Sequence, residues 1–417
     1  MRVITDFHIH SKYARACSKD LTLSNIVKWC EIKGLDVVGT GDFTHPAWFA
    51  SIKEELEEAG DGLFALAGNR SKTRLMLTTE LSSIYKQGDK VRRIHLCVLL
   101  SSIPALEKFI AALEARGVNL KSDGRPILGL SAPEIVKMVL EADPRGLVVP
   151  AHAWTPWFAV FGSKSGFDSL EECFGEMTPH IYAIETGLSS DPAMNWRLSK
   201  LDDILLLSNS DAHSLRNLGR EANVFAVDNF DYQTLYDILK HRDRGRFVST
   251  IEFFPEEGMY HFDGHRVCKF CCQPAETKRL DGICPVCKKT LTVGVLNRVE
   301  ALADRPAGSA PAERVPYQNI VPLEIIIGEA MSRQPGTKTV LGWYQKMTSV
   351  LGSEFAILLD RTYEEISSVA PKEIVEGIRR VRDGKLHISP GYDGVYGTVT
   401  LFEAHERIKA AQASLLV

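Results

Sequence analysis

Histidines and carboxylates recur in this chain where short apolar runs end: His8 and His10, Asp42 and His45, Glu80, His95, His152, Asp211 and His213. Neutral imidazoles and carboxylates are the donors divalent cations take, and this set is large enough for two or three ions. Asp6-Phe-His8-Ile-His10 places two imidazoles on one face of an extended strand, because side chains alternate with period two. Asp211-Ala-His213 repeats the i, i+2 spacing after Leu205-Leu206-Leu207. A lone His-x-His is weak evidence, but its recurrence with Glu80 and His152 makes a metal site the expectation. A bridging Glu can hold two cations ~3.5–4 Å apart, the separation used for phosphoester hydrolysis. Histidine donors suit zinc or manganese better than magnesium.

Converging side chains need successive strand ends on one face, as in an α/β barrel. Strands are expected at Val3–Ile9, Asp36–Gly41, Arg74–Glu80, Ile94–Leu100, Leu147–Ala151, Ile181–Glu185, Ile204–Ser208 and Val224–Val227. Helical spacing of apolar residues marks Leu23–Gly34, Pro46–Ala59, Pro104–Gly117, Ala132–Ala142 and Asp191–Leu201. The expected fold class is therefore α/β, with a barrel over residues 1–250. Residues 251–300 form a small second module, and residues 301–417 a mostly helical C-terminal unit behind a Pro/Ala/Gly-rich stretch, Asp304–Pro316.

The second module carries Cys268-x2-Cys271 and Cys284-x2-Cys287, the spacing of a four-thiolate zinc ribbon. Such a closed site offers substrate no open position, so its zinc is structural. Cys17, Cys30, Cys97 and Cys173 are isolated and read as reduced thiols. No run approaches the roughly 18 apolar residues of a membrane span, and the N-terminus enters a strand at once, which points to the cytoplasm. With 45% hydrophobic and 24% charged residues the composition is that of a globular protein, and a net charge of −4 neither favours nor excludes nucleic acid. A local basic bias does occur: His261–Arg298 has a net charge of +4.

The loop from Ala151 to Gly166 is rich in aromatics, with Trp154, Trp157, Phe158 and Phe161 followed by Lys164. Rings beside basic groups suit stacking on bases with phosphate contact, although any one ring could equally be core. Trp154, Trp157, Lys164, Arg197 and Arg220 are the candidate DNA contacts. Gly391–Gly397 lacks the Lys-Ser/Thr of a phosphate-binding P-loop and reads as a turn, implying no nucleotide cofactor.

The barrel motifs resemble the polymerase and histidinol phosphatase (PHP) superfamily. The blocks Thr40–Pro46, Asp123–Leu130, Ala153–Trp157, Phe161–Asp168 and Thr186–Arg197 are similar to its endonuclease Q family, over nearly the whole chain. The superfamily resemblance implies a distorted seven-stranded βα barrel. It also implies one ion on His8, His10, Glu80 and Asp211, a second on Glu80, His95 and His152, and a third aided by Asp42 and His213. Phe43 follows Asp42 where the usual pattern has His, and the next His is His45. Glu80, Asp211 and His213 are then the expected catalytic residues, with Zn2+, Mn2+ or Mg2+ as catalytic ions.

The family resemblance implies a DNA repair endonuclease that nicks 5′ to uracil, hypoxanthine, xanthine or an abasic site, leaving 3′-hydroxyl and 5′-phosphate ends. A replication sliding clamp would be a natural partner of such an enzyme, although no motif marks a site for it. The alternative is a small-molecule phosphoesterase, which would need neither the zinc module nor the aromatic loop. A non-catalytic zinc-ribbon adaptor conflicts with the full ligand set.

Overall fold

The buried run Arg2–Asp6 pairs in parallel with Val37–Gly39, which pairs in parallel with Arg74–Gln87. From there the pairing is antiparallel, first to Lys90–Leu100 and then to Leu147–Pro150. Ala183–Glu185 and Leu205–Leu207 form a separate parallel pair. The Ala153 amide donates to the Glu185 carbonyl, and Ile9 bridges to Ala212 in parallel. On its other side Arg2–Asp6 is flanked antiparallel by Ala222–Ala226 and then Phe247–Glu252. The computed structural model describes residues 1–403 and Glu406 and is a mixed α/β fold. Residues 404, 405 and 407–417 of the expected helical unit lie outside the described residues.

Local sequence sets most helix ends. Thr22 caps Leu23–Lys33 through the Asn25 amide, and Gly34 ends it at φ 90°. Ser131 and Glu134 form a capping box on Ala132–Ala142. Other boundaries differ from expectation. The strand from Arg74 runs through Glu80 to Gln87, because Gly88-Asp89 makes a tight turn that can only join antiparallel neighbours. The helix from Pro46 stops at Glu55, and its expected last residues form a strand, Leu56–Gly60, paired with Leu63–Leu66. Asp191–Leu201 breaks into Pro192–Asn195 and a single turn, Ser199–Leu201, where the Arg197 carbonyl accepts the amides of Asp304 and Arg305. The helix Tyr232–His241, capped by Asp231, adds to the expected elements.

Helices Leu323–Ala330, Lys338–Leu351 and Lys372–Arg382 bury Ile326, Val340, Met347, Ile374 and Ile378 together. Within this unit Ala356–Asp360 is a short π-helix, followed by the Thr362-capped helix Tyr363–Ser367. This helical part meets the sheet-forming part through one buried ion pair, Lys33 Nζ to Glu354 Oε2 at 2.7 Å. Glu354 also accepts the Leu323 amide and the Tyr344 hydroxyl. Removing one partner of such a pair strands the other charge, so Lys33→Ala should cost about 3–5 kcal/mol. The double change Lys33→Met with Glu354→Gln should cost less, as chemical denaturation of both variants would show; equal losses would refute the charge argument. No helix among the described residues is long and apolar enough to cross a membrane.

Candidate metal centre

Glu80 lies at the middle of the strand Arg74–Gln87, and Cys97 and His95 of the opposing strand share its face, because Glu80 pairs with Cys97 and Ser82 with His95. Around this buried carboxylate two groups assemble. His8, His10, Glu80 and Asp211 bring one ligand atom each within 4.8 Å of one another, and so do Glu80, His95 and His152. Glu80 Oε2 is 3.4 Å from His8 Nε2 and 3.2 Å from His10 Nε2. Its Oε1 is 2.7 Å from His95 Nδ1 and 3.1 Å from His152 Nε2. The carboxylate therefore turns one oxygen to each group.

The backbone that delivers these side chains is unusual. Asp42, His152 and Asp211 all have positive φ, at 45°, 31° and 46°. Left-handed conformations cost free energy in non-glycine residues and persist where surrounding contacts over-determine them. Here the Trp48 indole donates to the Gly41 carbonyl at 2.8 Å beside Asp42. The Arg220 guanidinium donates to the carbonyls of Ser210 and Asp211. Gly187 comes so close to His152 that a Cβ there would sit 2.5 Å from the histidine's own Cβ. Only glycine leaves the imidazole in place.

The donor set fits divalent ions. His10 Nδ1 is 2.9 Å from Asp42 Oδ1, a contact that assigns the proton to Nδ1 and leaves the Nε2 lone pair facing Glu80 and Asp211. Buried His8 Nε2 has no hydrogen-bond partner. His95 Nδ1 and His152 Nε2 face each other at 3.2 Å while both point at Glu80. One cation would satisfy all three of these last groups together.

The charges agree. Burial opposes ionisation of His8 and His10, yet the carboxylates around them, Glu185 and Glu80 for His8 and Asp42, Asp211 and Glu80 for His10, raise both pKa values well above the ordinary range. Burial likewise works against Glu80, but His95, Arg125 and His8 hold it well below the usual carboxylate range. His95 is pushed down to about 4, chiefly by burial.

The third expected site is not gathered in the same way. Among the described residues, no cluster of three ligand atoms includes Asp42, His45 or His213. Asp42 is used by His10 and the Ser11 amide, at 2.9 and 2.6 Å. His45 stacks on Tyr13 with ring centroids 4.3 Å apart, and its Nδ1 is buried without a partner. His213 packs against His10 at 4.6 Å and turns Nδ1 to the Asp211 carbonyl. Two neighbours of the site carried less weight in the sequence. Arg125 reaches Glu80 Oε2 at 2.7 Å from the loop Asp123–Leu130. Glu185 contacts His8 Nδ1 at 3.0 Å and, at the end of an expected strand, has the same strand-end position as the other carboxylates.

A family model described as the MJ0043 C-terminal domain matches residues 322–385. Uncharacterized protein YqxK of Bacillus subtilis (strain 168) is 30% identical over 410 residues, covering 95% of this chain and 99% of that one. Uncharacterized protein MJ0043 of Methanocaldococcus jannaschii is 30% identical over 256 residues, 60% of this chain but 31% of its own length. The lesion-specific endonuclease PfuEndoQ from Pyrococcus furiosus is 30% identical with a TM-score of 0.85, over 98% of this chain and 99% of that one. The chain belongs to the endonuclease Q family. A second family structure, Endonuclease Q in complex with a 27-mer duplex with an abasic lesion at the active site, is 31% identical with a TM-score of 0.83 over 97% of both chains.

In this endonuclease Q family member the expected DNA contacts separate by burial. Trp154 is 0% exposed, donates to Asn195 Oδ1 at 2.7 Å and packs on Phe161, so it is core and presents no face to a base. Arg197 is also buried, paired with Glu300 at 2.5 Å, and braces the Asp304–Arg305 backbone. Arg220 supports the Asp211 loop as described. Trp157, 41% exposed and edge-on to Tyr260, and exposed Lys164 are at the surface.

The cysteine module gathers three of the four expected cysteines, with a histidine beside them. His265, Cys268, Cys284 and Cys287 form the ligand-ready cluster, with Cys287 Sγ 3.4 Å from His265 Nδ1, and Cys271 is outside it. Phe270 and Cys272 join the apolar cluster with Cys268, Cys284 and Cys287. Cys271 alternates to the opposite face of the same strand, Phe270–Cys272. The hairpin pairing of Asp263–His265 with Phe270–Cys272 brings His265 to this cluster, which linear spacing does not record.

Proposed function

We propose that this protein is a metal-dependent DNA repair endonuclease that nicks the strand immediately 5′ to uracil, hypoxanthine, xanthine or an abasic site. The observation that carries the reading is the single buried carboxylate, Glu80, shared between two histidine groups, in a chain of the endonuclease Q family. The relative holding a duplex with an abasic lesion supports DNA as substrate. We read the strands beginning at Arg2, Val37, Arg74, Lys90, Leu147, Ala183 and Leu205 as a distorted seven-stranded barrel, closed by the Ile9–Ala212 bridge. Residues 1–250 then carry the chemistry, 251–300 hold a structural zinc, and the helical remainder assists DNA binding.

His8, His10 and Asp211 would hold one ion and His95 and His152 the other, with Glu80 between them. The chemistry such ions supply when bound is neutralisation of phosphate charge and activation of water. Asp211 is kept ionised because, against the effect of burial, the His10 hydrogen bond and the nearby His8 ring favour its carboxylate. Arg125, 27% exposed and 2.7 Å from Glu80, adds positive charge beside the centre. Cys97 is no nucleophile, since burial above all pushes its thiol up to about 12.

The base edge separates uracil and hypoxanthine from the cytosine and adenine they arise from. Deamination replaces an exocyclic amine by a carbonyl and a neighbouring ring nitrogen by N–H, in uracil and hypoxanthine alike. A pocket offering a donor and an acceptor there would leave adenine or cytosine mispaired, at about 1–3 kcal/mol for each unsatisfied group. The base must leave the stack to be read, and mispaired bases leave most readily. Duplexes with one uracil, hypoxanthine or abasic site should be cut once, 5′ to the lesion, with 3′-hydroxyl ends and matched DNA nearly untouched. Equal cutting of damaged and undamaged duplex under the same metal and salt would refute the lesion specificity. Hydrolysis of small phosphate esters with no DNA cleavage would refute the nuclease.

A further inference from the structure

We infer that Glu185 is a positioning residue that fixes both metal groups at once, an inference resting on the metal-centre reading above. Glu185 is fully buried, and its two oxygens lie 3.1 and 3.0 Å from His8 Nδ1. This contact assigns the ring proton to Nδ1 and points Nε2 at Glu80. The same carboxylate accepts the His152 backbone amide at 2.8 Å on Oε2. His152 has a strained φ of 31°, and its position depends on what holds that peptide. One side chain thus sets the tautomer of a ligand in the first group and the backbone of a ligand in the second.

The carboxylate is itself anchored. Asn209 Nδ2 donates to Oε1 at 2.9 Å, while Asn209 Oδ1 accepts the Phe7 amide at 2.9 Å, next to His8. The Ala153 amide, following His152, donates to the Glu185 carbonyl at 2.9 Å. Three donors therefore converge on two side-chain oxygens: the His8 ring, the Asn209 amide and the His152 backbone. Only an ionised carboxylate, which accepts at both oxygens and donates at neither, satisfies all three. Glutamine has the same shape but turns an NH2 towards at least one donor. Either the His8 tautomer or the His152 peptide must then give way.

Glu252 provides the control. It is a neighbouring buried carboxylate whose oxygens accept the Thr186 and Thr250 hydroxyls, and the hydrogen bonds it makes reach no metal-group residue. Manganese binding to the full-length, zinc-loaded protein should be titrated by calorimetry for wild type, Glu185→Gln and Glu252→Gln, with the visible spectrum of cobalt-substituted protein as a second readout. Glu185→Gln should weaken barrel metal binding about 10–100-fold and shift the cobalt spectrum. Glu252→Gln should bind within about twofold of wild type, the change expected for a residue that touches no ligand. Asn209→Ser, which removes one of the three donors, should give a smaller weakening and keeps the test decisive if Glu185→Gln does not fold. Wild-type affinity and spectrum in Glu185→Gln, or equal weakening in Glu252→Gln, would overturn the role. Wild-type protein that binds the ions but never cuts lesion DNA would overturn the nuclease reading while leaving the positioning role standing. Failure of wild type to bind ions in the barrel would overturn both.

Discussion

Glu80→Ala is expected to abolish strand nicking while the protein still folds. Glu80 is the one residue common to both metal groups, and each of its oxygens faces two histidine nitrogens. Its loss uncouples the two ions and leaves four imidazoles without their shared anion. The effect should exceed the roughly 10²–10³-fold that removing a single transition-state donor costs. Stability should change far less, because the apolar layers around Leu77, Leu81, Leu96 and Val98 are untouched. Asp211→Ala should behave similarly but retain the second group, so its metal content should fall by less. The measurements are nicking rates with added zinc, manganese or magnesium, barrel metal content and thermal melting. Wild-type rates in both variants would remove Glu80 and Asp211 from the centre.

Cys284→Ser should release about one zinc per chain and expose residues 261–300 to protease, with the barrel's metal content unchanged. The module has little else to hold it together: its apolar cluster consists of Cys272, Cys284 and Leu291 with Cys268, Phe270 and Cys287 alongside. Without a cation these side chains cannot make a sufficient core, and paired thiolates would repel one another. Buried Asp263, which accepts the Gly294 amide, the Asn297 side chain and the Thr277 hydroxyl, orders the surrounding loops but supplies no apolar area. His265→Ala should also lose the ion, whereas Cys271→Ser should keep it. Elemental analysis of the three variants decides the ligand set. Zinc retained by His265→Ala and lost from Cys271→Ser would restore the four-cysteine assignment.

The sequence by itself determined which residues can bind metal and many of the elements that carry them. The i, i+2 pairs His8/His10 and Asp211/His213, the helix Ala132–Ala142 and the CxxC spacings depend on periodicity, capping and turn chemistry, which act over a few residues. Only the tertiary structure decided which partners those residues meet. Glu185 lies 177 residues from His8 yet holds its ring, and Arg125 lies 45 residues from the carboxylate it pairs with. Trp154 and Arg197 look like DNA contacts by type, but packing against Phe161 and pairing with Glu300 bury both. His265 joins Cys268, Cys284 and Cys287 because hairpin pairing sets which side chains share a face, and linear spacing does not record that. Residue type and short-range spacing are written in the chain; the convergence of side chains far apart in sequence is fixed only when burial of the apolar faces selects one arrangement of strands.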